Sequence, residues 1–177
     1  MNKILFFSLF CVLLSCKQKN NNNAEFEPVV ELDKQTLIDI NKHWIKDESF
    51  LIDQFCARHQ MDVVSTASGV RYFIYDSTDG EKVEPGDQVT ISFEVRLLDA
   101  DTTLCYKSDS LSPYSFIVEM DNIESGLHEA ITFFNKAEKG YVVLPHYLAH
   151  GLIGNMDKIP PLSPVLYNIH LLDVVKN

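Results

Sequence analysis

His146 and His150, four residues apart, are the first pair in this 177-residue chain with the reach to share a ligand. On a helix that spacing would put both imidazoles on one face, as a metal site needs. Pro145 before the pair and Gly151 after it make the stretch a loop or a single turn instead. His43, His59, His128 and His170 stand elsewhere without ligand spacing, so no metal is expected. There is no Gly-x-Ser-x-Gly elbow and no phosphate-cradling glycine loop, which leaves hydrolase and nucleotide chemistry without residues to carry it. Of the four cysteines, Cys56 falls in a predicted helix and Cys105 near a strand end. An oxidising compartment would let them pair, but their placement favours two small buried side chains.

The elements that must position any chemistry begin after a leader. Lys3, an apolar run from Ile4 to Leu14 broken only by Ser8, and then Ser15 describe a secretory signal over residues 1–15. The run is shorter than the ~20 residues a membrane-spanning helix needs. Leu13-Leu14-Ser15-Cys16 resembles the bacterial lipobox, which makes Cys16 an acylation site; the alternative is an ordinary cleaved signal with a cysteine after it. Residues 16–30 are polar and asparagine-rich and read as a tether. From residue 31 to 62, Leu37, Ile40, Trp44, Leu51 and Phe55 recur at near-helical spacing, with Ile38, Ile45 and Ile52 as a second stripe. Asp33 is placed to cap that helix, and Lys46-Asp47-Glu48-Ser49 could split it in two. Such an extension packs on the main domain or, as the alternative, serves as a dimerisation arm.

Residues 63–177 read as one domain. Strands are predicted over Val70–Tyr75, Gln88–Leu98, Pro113–Val118, Gly140–Leu144 and Val165–Val175, with one helix over Glu124–Ala137. Val89, Ile91, Phe93, Val95 and Leu97 share one strand face; Val165, Tyr167, Ile169 and Leu171 share another. Pro85-Gly86-Asp87 is built for a tight turn. Strands around one helix, with no repeated βαβ unit, give an α+β fold on an antiparallel sheet. The formal net charge of −10 repels phosphates, so nucleic acid is not an expected partner.

The order Gly126-Leu127-His128-Glu129, then Ala149-His150-Gly151, then Ile159-Pro160-Pro161, then the strand from Val165 resembles the FKBP-type peptidyl-prolyl isomerases. The resemblance covers roughly Ser68 to Val175. It implies a curved antiparallel sheet of about five or six strands wrapping one central helix, with the N-terminal helix as an addition. It also implies a reaction. Rotation about an X–Pro amide breaks C–N resonance against a barrier of about 18–20 kcal/mol, and needs neither nucleophile nor metal. A dry apolar cup strips the water that stabilises the planar amide, and a few donors favour the twisted state.

Carried over position by position, the resemblance places Phe93, Tyr106 and His150 at the reacting amide. Tyr114, Ile123, Leu127, Ile159 and Tyr167 become walls and floor, and the backbone N–H of Glu124 faces a substrate carbonyl. Three positions depart from the family pattern. Leu127 stands where the family has a floor tryptophan. His150 replaces a tyrosine, with a shorter reach. The Phe-Asp-Ser-Ser motif falls near Leu104-Cys105-Tyr106-Lys107-Ser108, and no register there puts an aspartate after an aromatic. Gly154-Asn155-Met156-Asp157-Lys158-Ile159-Pro160-Pro161 is similar to the loop of a lipoprotein subgroup associated with gliding motility. The implied protein is an envelope lipoprotein, anchored at Cys16 on the extracytoplasmic side. It would isomerise proline-containing segments of exported proteins without a cofactor. The alternative is a non-catalytic binding or chaperone module on the same cup.

Overall fold

The structure, a computed structural model, describes residues 33–109 and 111–177. The signal, the Cys16 acylation site, the whole tether and the first two residues of the helical extension lie outside those residues. The Asp33 carboxylate accepts the N–H groups of Gln35 and Thr36 at 2.9 and 3.0 Å, donors that a helix start otherwise leaves bare. Helix α1 then runs unbroken from Lys34 to Arg58, about 37 Å at 1.5 Å per residue.

The expected break at Lys46–Ser49 does not occur, because those polar residues dock the helix. Glu48 is buried: one carboxylate oxygen accepts the His146 N–H and the other meets His146 Nδ1, both at 2.8 Å. Ser49 Oγ and Asp53 hold the guanidinium of buried Arg71 at 2.5 and 3.0 Å. The buried apolar residues of α1 are Ile52, Phe55 and Cys56, which pack on Val143 and Leu166. Leu37, Ile38, Trp44, Ile45 and Leu51 remain exposed. The predicted apolar stripes are therefore fully buried only in the last turns of the helix, while Trp44 and Ile45 border a hollow with His146, Tyr147 and Leu152.

Seven antiparallel strands form the sheet among the described residues. They are β1 (Val64–Ser65), β2 (Arg71–Asp76), β3 (Gln88–Leu97), β4 (Leu104–Lys107), β5 (Tyr114–Ile117), β6 (Lys139–Leu144) and β7 (Val165–Val175). Their order is β1-β2-β6-β7-β3-β4, with β5 also paired to β3. β3 thus has β7 along one edge and shares the other between β5, against residues 88–91, and β4, against residues 94–96. The count exceeds the expected five or six because β1 and β4 are only two and four residues long, too short for a period of two to register.

The architecture is α+β. Helix α2 spans Ser125–Ile131, half the predicted length. Its continuation tightens into turns in which Thr132, Phe133 and Phe134 donate three residues back. The buried Glu138 carboxylate then takes the Asn135 and Thr78 N–H groups at 2.8 and 3.1 Å. That side chain competes for backbone donors and ends the helix. Leu127, Ala130, Ile131 and Phe134 pack on Val142 and Leu144, the opposite sheet face from the one α1 covers. A Cβ on Gly126 would lie 2.7 Å from Leu144 Cδ2 and 2.9 Å from the Leu148 carbonyl. Only a glycine lets α2 sit that close to β6 and to the 3-10 turn at His146–Leu148.

Candidate functional site

At the end of the sheet where β3, β4, β5 and β7 meet the start of α2, a cavity of about 570 Å³ opens to the surface. That volume suits a small apolar ligand or a short chain segment. The wall is built by strand periodicity. Phe93 and Val95 alternate inward along β3, and Tyr167 lies opposite Val95 on β7. The Phe93 ring meets Tyr114 edge-on at 6.2 Å and Tyr167 at 6.1 Å, separations at which aromatic pairs attract. Leu127, from the first turn of α2, forms the floor, and Ile123 and Ala149 add apolar surface.

Two polar groups inside the cup come from segments distant in sequence. Glu124, just before α2, turns its carboxylate into the cavity rather than capping the helix. Its Oε1 accepts the Tyr167 hydroxyl at 3.1 Å and lies 3.2 Å from His150 Nε2. Burial, with this carboxylate beside it, pushes the Tyr167 phenol well above its ordinary range, so it stays a proton donor. The Glu124 N–H makes no hydrogen bond to another described residue, leaving a backbone donor at the cavity edge.

Tyr106 faces the cavity with its ring, while its hydroxyl points out to the loop that follows β6. It donates to Asp157 Oδ2 at 2.8 Å and accepts from Asn155 Nδ2 at 2.5 Å. The Lys158 ammonium stands 5.1 Å from the ring centroid, within cation–π range. Asn155 Oδ1 also accepts the Asp157 and Ile159 N–H groups. Gly154 turns with φ +67°, and a Cβ there would collide with the Ile159 carbonyl. Lys107, the residue after Tyr106, pairs its ammonium with Glu94 at 3.2 Å. The carboxylate that engages this wall belongs to Asp157, in the loop after β6.

Eight of the nine residues expected at the cup border it: Phe93, Tyr106, Tyr114, Ile123, Glu124, Leu127, His150 and Tyr167. Ile159 does not. It is 2% exposed and packed into the core behind the wall, held by the loop that Asn155 closes. Val95, Lys107, Asn122 and Ala149 complete the lining. Val95 follows from the period of two after Phe93, whereas Lys107 and Asn122 carry no sequence signal beyond adjacency to Tyr106 and Ile123. The Glu124 carboxylate was also missed, because only its backbone N–H was expected there. His146 and His150 do not converge on a ligand: His146 is turned to Glu48 and His150 to Glu124. Among the described residues no group of three metal-ligating side chains gathers. Cys56 and Cys105 are each buried and unpaired.

Comparison with known proteins gives the same picture. A probable FKBP-type peptidyl-prolyl cis-trans isomerase FkpA from Neisseria meningitidis is 26% identical over 112 residues. The match takes in 63% of this chain and 40% of that protein, so the chain spans well under two thirds of its relative's length. Among solved structures, a peptidyl-prolyl cis-trans isomerase from Pseudomonas syringae pv. tomato superposes with a TM-score of 0.64 at 24% identity, over 76% of this chain and 96% of that one. FkpA from Escherichia coli gives 0.60 at 22% identity, over 82% and 74% of the two chains. These structural likenesses show the fold. Residues 79–172, over half of the chain, match the family described as FKBP-type peptidyl-prolyl cis-trans isomerase, and the chain belongs to that family.

Proposed function

We propose that this protein catalyses cis–trans isomerisation of X–Pro amides in exported proteins, holding the proline ring in the cup between Phe93, Tyr114, Leu127 and Tyr167. The observation that carries this reading is the cup itself: aromatic walls, an apolar floor and few polar groups, as amide rotation demands. Phe93, Tyr106 and His150 border the twisting amide, and the free Glu124 N–H receives the substrate carbonyl. No cofactor takes part. The test is catalysis of prolyl-peptide isomerisation and of a proline-limited refolding reaction by the full chain held in non-ionic detergent. Both rates are expected to exceed the uncatalysed control.

A second reading has its own support. Leu127 gives a smaller floor than an indole would, and Lys107, not an aspartate, follows Tyr106. On that reading the cup binds proline-containing or apolar segments of an envelope partner without turnover. Peptide binding without acceleration would select it.

The placement belongs to the same proposal. Residues 1–15 act as the secretory signal, and Cys16 carries lipid that anchors the protein to the extracytoplasmic side of a membrane. The similarity of the Gly154–Pro161 loop to a lipoprotein subgroup supports this. No described helix is long and apolar enough to cross a membrane. Metabolic labelling with a radioactive fatty acid should mark the protein, and Cys16→Ala should abolish the label. The exposed apolar residues of α1, Leu37, Trp44 and Ile45 among them, support its use as a dimerisation arm. Sedimentation should then give a dimer, and Trp44→Glu with Ile45→Glu a monomer.

A further inference from the structure

A carboxylate in an apolar cup is costly to bury unless it does something there. The Glu124 side chain is 18% exposed and has given up the helix start one residue away, where an acidic group is ordinarily favoured. Both polar contacts it makes fall on one oxygen, Oε1, which takes Tyr167 and faces His150. Its other oxygen, Oε2, accepts no hydrogen bond from another described residue. It is not sealed in the interior either, since no buried side-chain oxygen lacks a partner. Oε2 is thus an open acceptor on a cavity-lining carboxylate whose other oxygen Tyr167 and His150 engage. The one lysine or arginine in the lining, Lys107, is committed to Glu94 and is half-exposed at the rim. The charge available to a bound segment inside the cup is therefore negative, the same sign as the whole chain's net −10.

We propose that Glu124 makes this cup selective for prolines flanked by a cationic residue, with a lysine or arginine next to the proline reaching Oε2. An acidic neighbour is rejected, because it would bring a second carboxylate into a partly desolvated space. The proposal rests on the cup being the site that binds proline segments. It adds which of those segments are taken.

The test compares peptides that differ only in the residue before proline (lysine, leucine, glutamine or glutamate), offered to the full chain in non-ionic detergent. Dissociation constants from fluorescence anisotropy and kcat/KM from the isomerisation assay are read together. Lysine is expected to exceed glutamate by about tenfold in both, with glutamine and leucine between. In Glu124→Gln, which keeps the shape and the Tyr167 hydrogen bond, that ratio should fall to about twofold or less. Equal affinity for the lysine and glutamate peptides in the natural protein would overturn the proposal, and this comparison needs no variant to fold. A ratio that survives in Glu124→Gln would overturn the assignment to Glu124. Graded binding without any turnover would leave the selectivity standing and count against catalysis alone.

Discussion

Replacing His150 by tyrosine tests the donor at the cup most directly. The imidazole reaches Glu124 at 3.2 Å, whereas a phenol extends further over the cavity. If this donor limits the reaction, His150→Tyr should raise kcat/KM by up to about tenfold, the worth of one hydrogen bond of ~1.4 kcal/mol. An unchanged or lower rate in the prolyl-peptide assay would remove His150 from the reacting amide. At this scale the sequence was informative where strand period and motif order agree, as at Phe93, Tyr114 and Tyr167. It was silent where a side chain's direction is decided by tertiary contacts. Ile159 sits in the motif expected at the wall yet packs inward, because Asn155 and Gly154 close the loop around it. Glu124 turns inward because Tyr167, 43 residues later, offers its hydroxyl.

Among the elements, α1 and α2 hold the cup from opposite sides of the sheet. The α1 contact passes through Glu48 to His146, whose carbonyl accepts the Gly151 N–H at 2.8 Å and so closes the turn that carries His150. Glu48→Ala would leave the His146 N–H and ring nitrogen without their partner in a buried place. It should lower stability by about 2–3 kcal/mol in denaturant unfolding, with Glu48→Gln recovering part of the loss. On the other side, Gly126→Ala forces a methyl against Leu144 and the Leu148 backbone, and should cost about 1–3 kcal/mol. The continuity of α1 was the feature least legible beforehand. A polar run such as Lys46–Ser49 reads as a break, and only the buried partners His146 and Arg71 explain why it stays helical. α2 erred the other way, since apolar spacing carried on to Phe134 while Glu138 had already drawn the backbone into turns. β7, long and rich in apolar residues, has the same bounds in sequence and structure.

At the scale of the whole molecule, the C-terminal end of the domain is tied through Lys176 to one acidic turn, Glu84–Asp87. Burial raises the Asp87 carboxyl, but the Lys176 ammonium and the Glu84 N–H outweigh it and hold the carboxyl below the ordinary aspartate range. A carboxyl depressed by folding adds stability above its unfolded pKa of about 3.9 and loses it as pH falls through the folded value. Asp87→Asn should therefore lower stability at neutral pH and shallow the acid limb of the unfolding profile below about pH 4. The fold of this molecule was legible because sheet pattern, turn chemistry and motif order all point one way. Catalysis is less so, because Leu127, Lys107 and His150 alter the cup without closing it. The measurement that bears on this most directly is the rate of cis–trans isomerisation of a prolyl peptide with the full chain in non-ionic detergent. The account predicts a rate that rises linearly with protein concentration above the uncatalysed background and is suppressed when the cup is filled by Ala149→Phe. A rate equal to the background at every concentration, on the peptide and on a proline-limited refolding substrate alike, would contradict it.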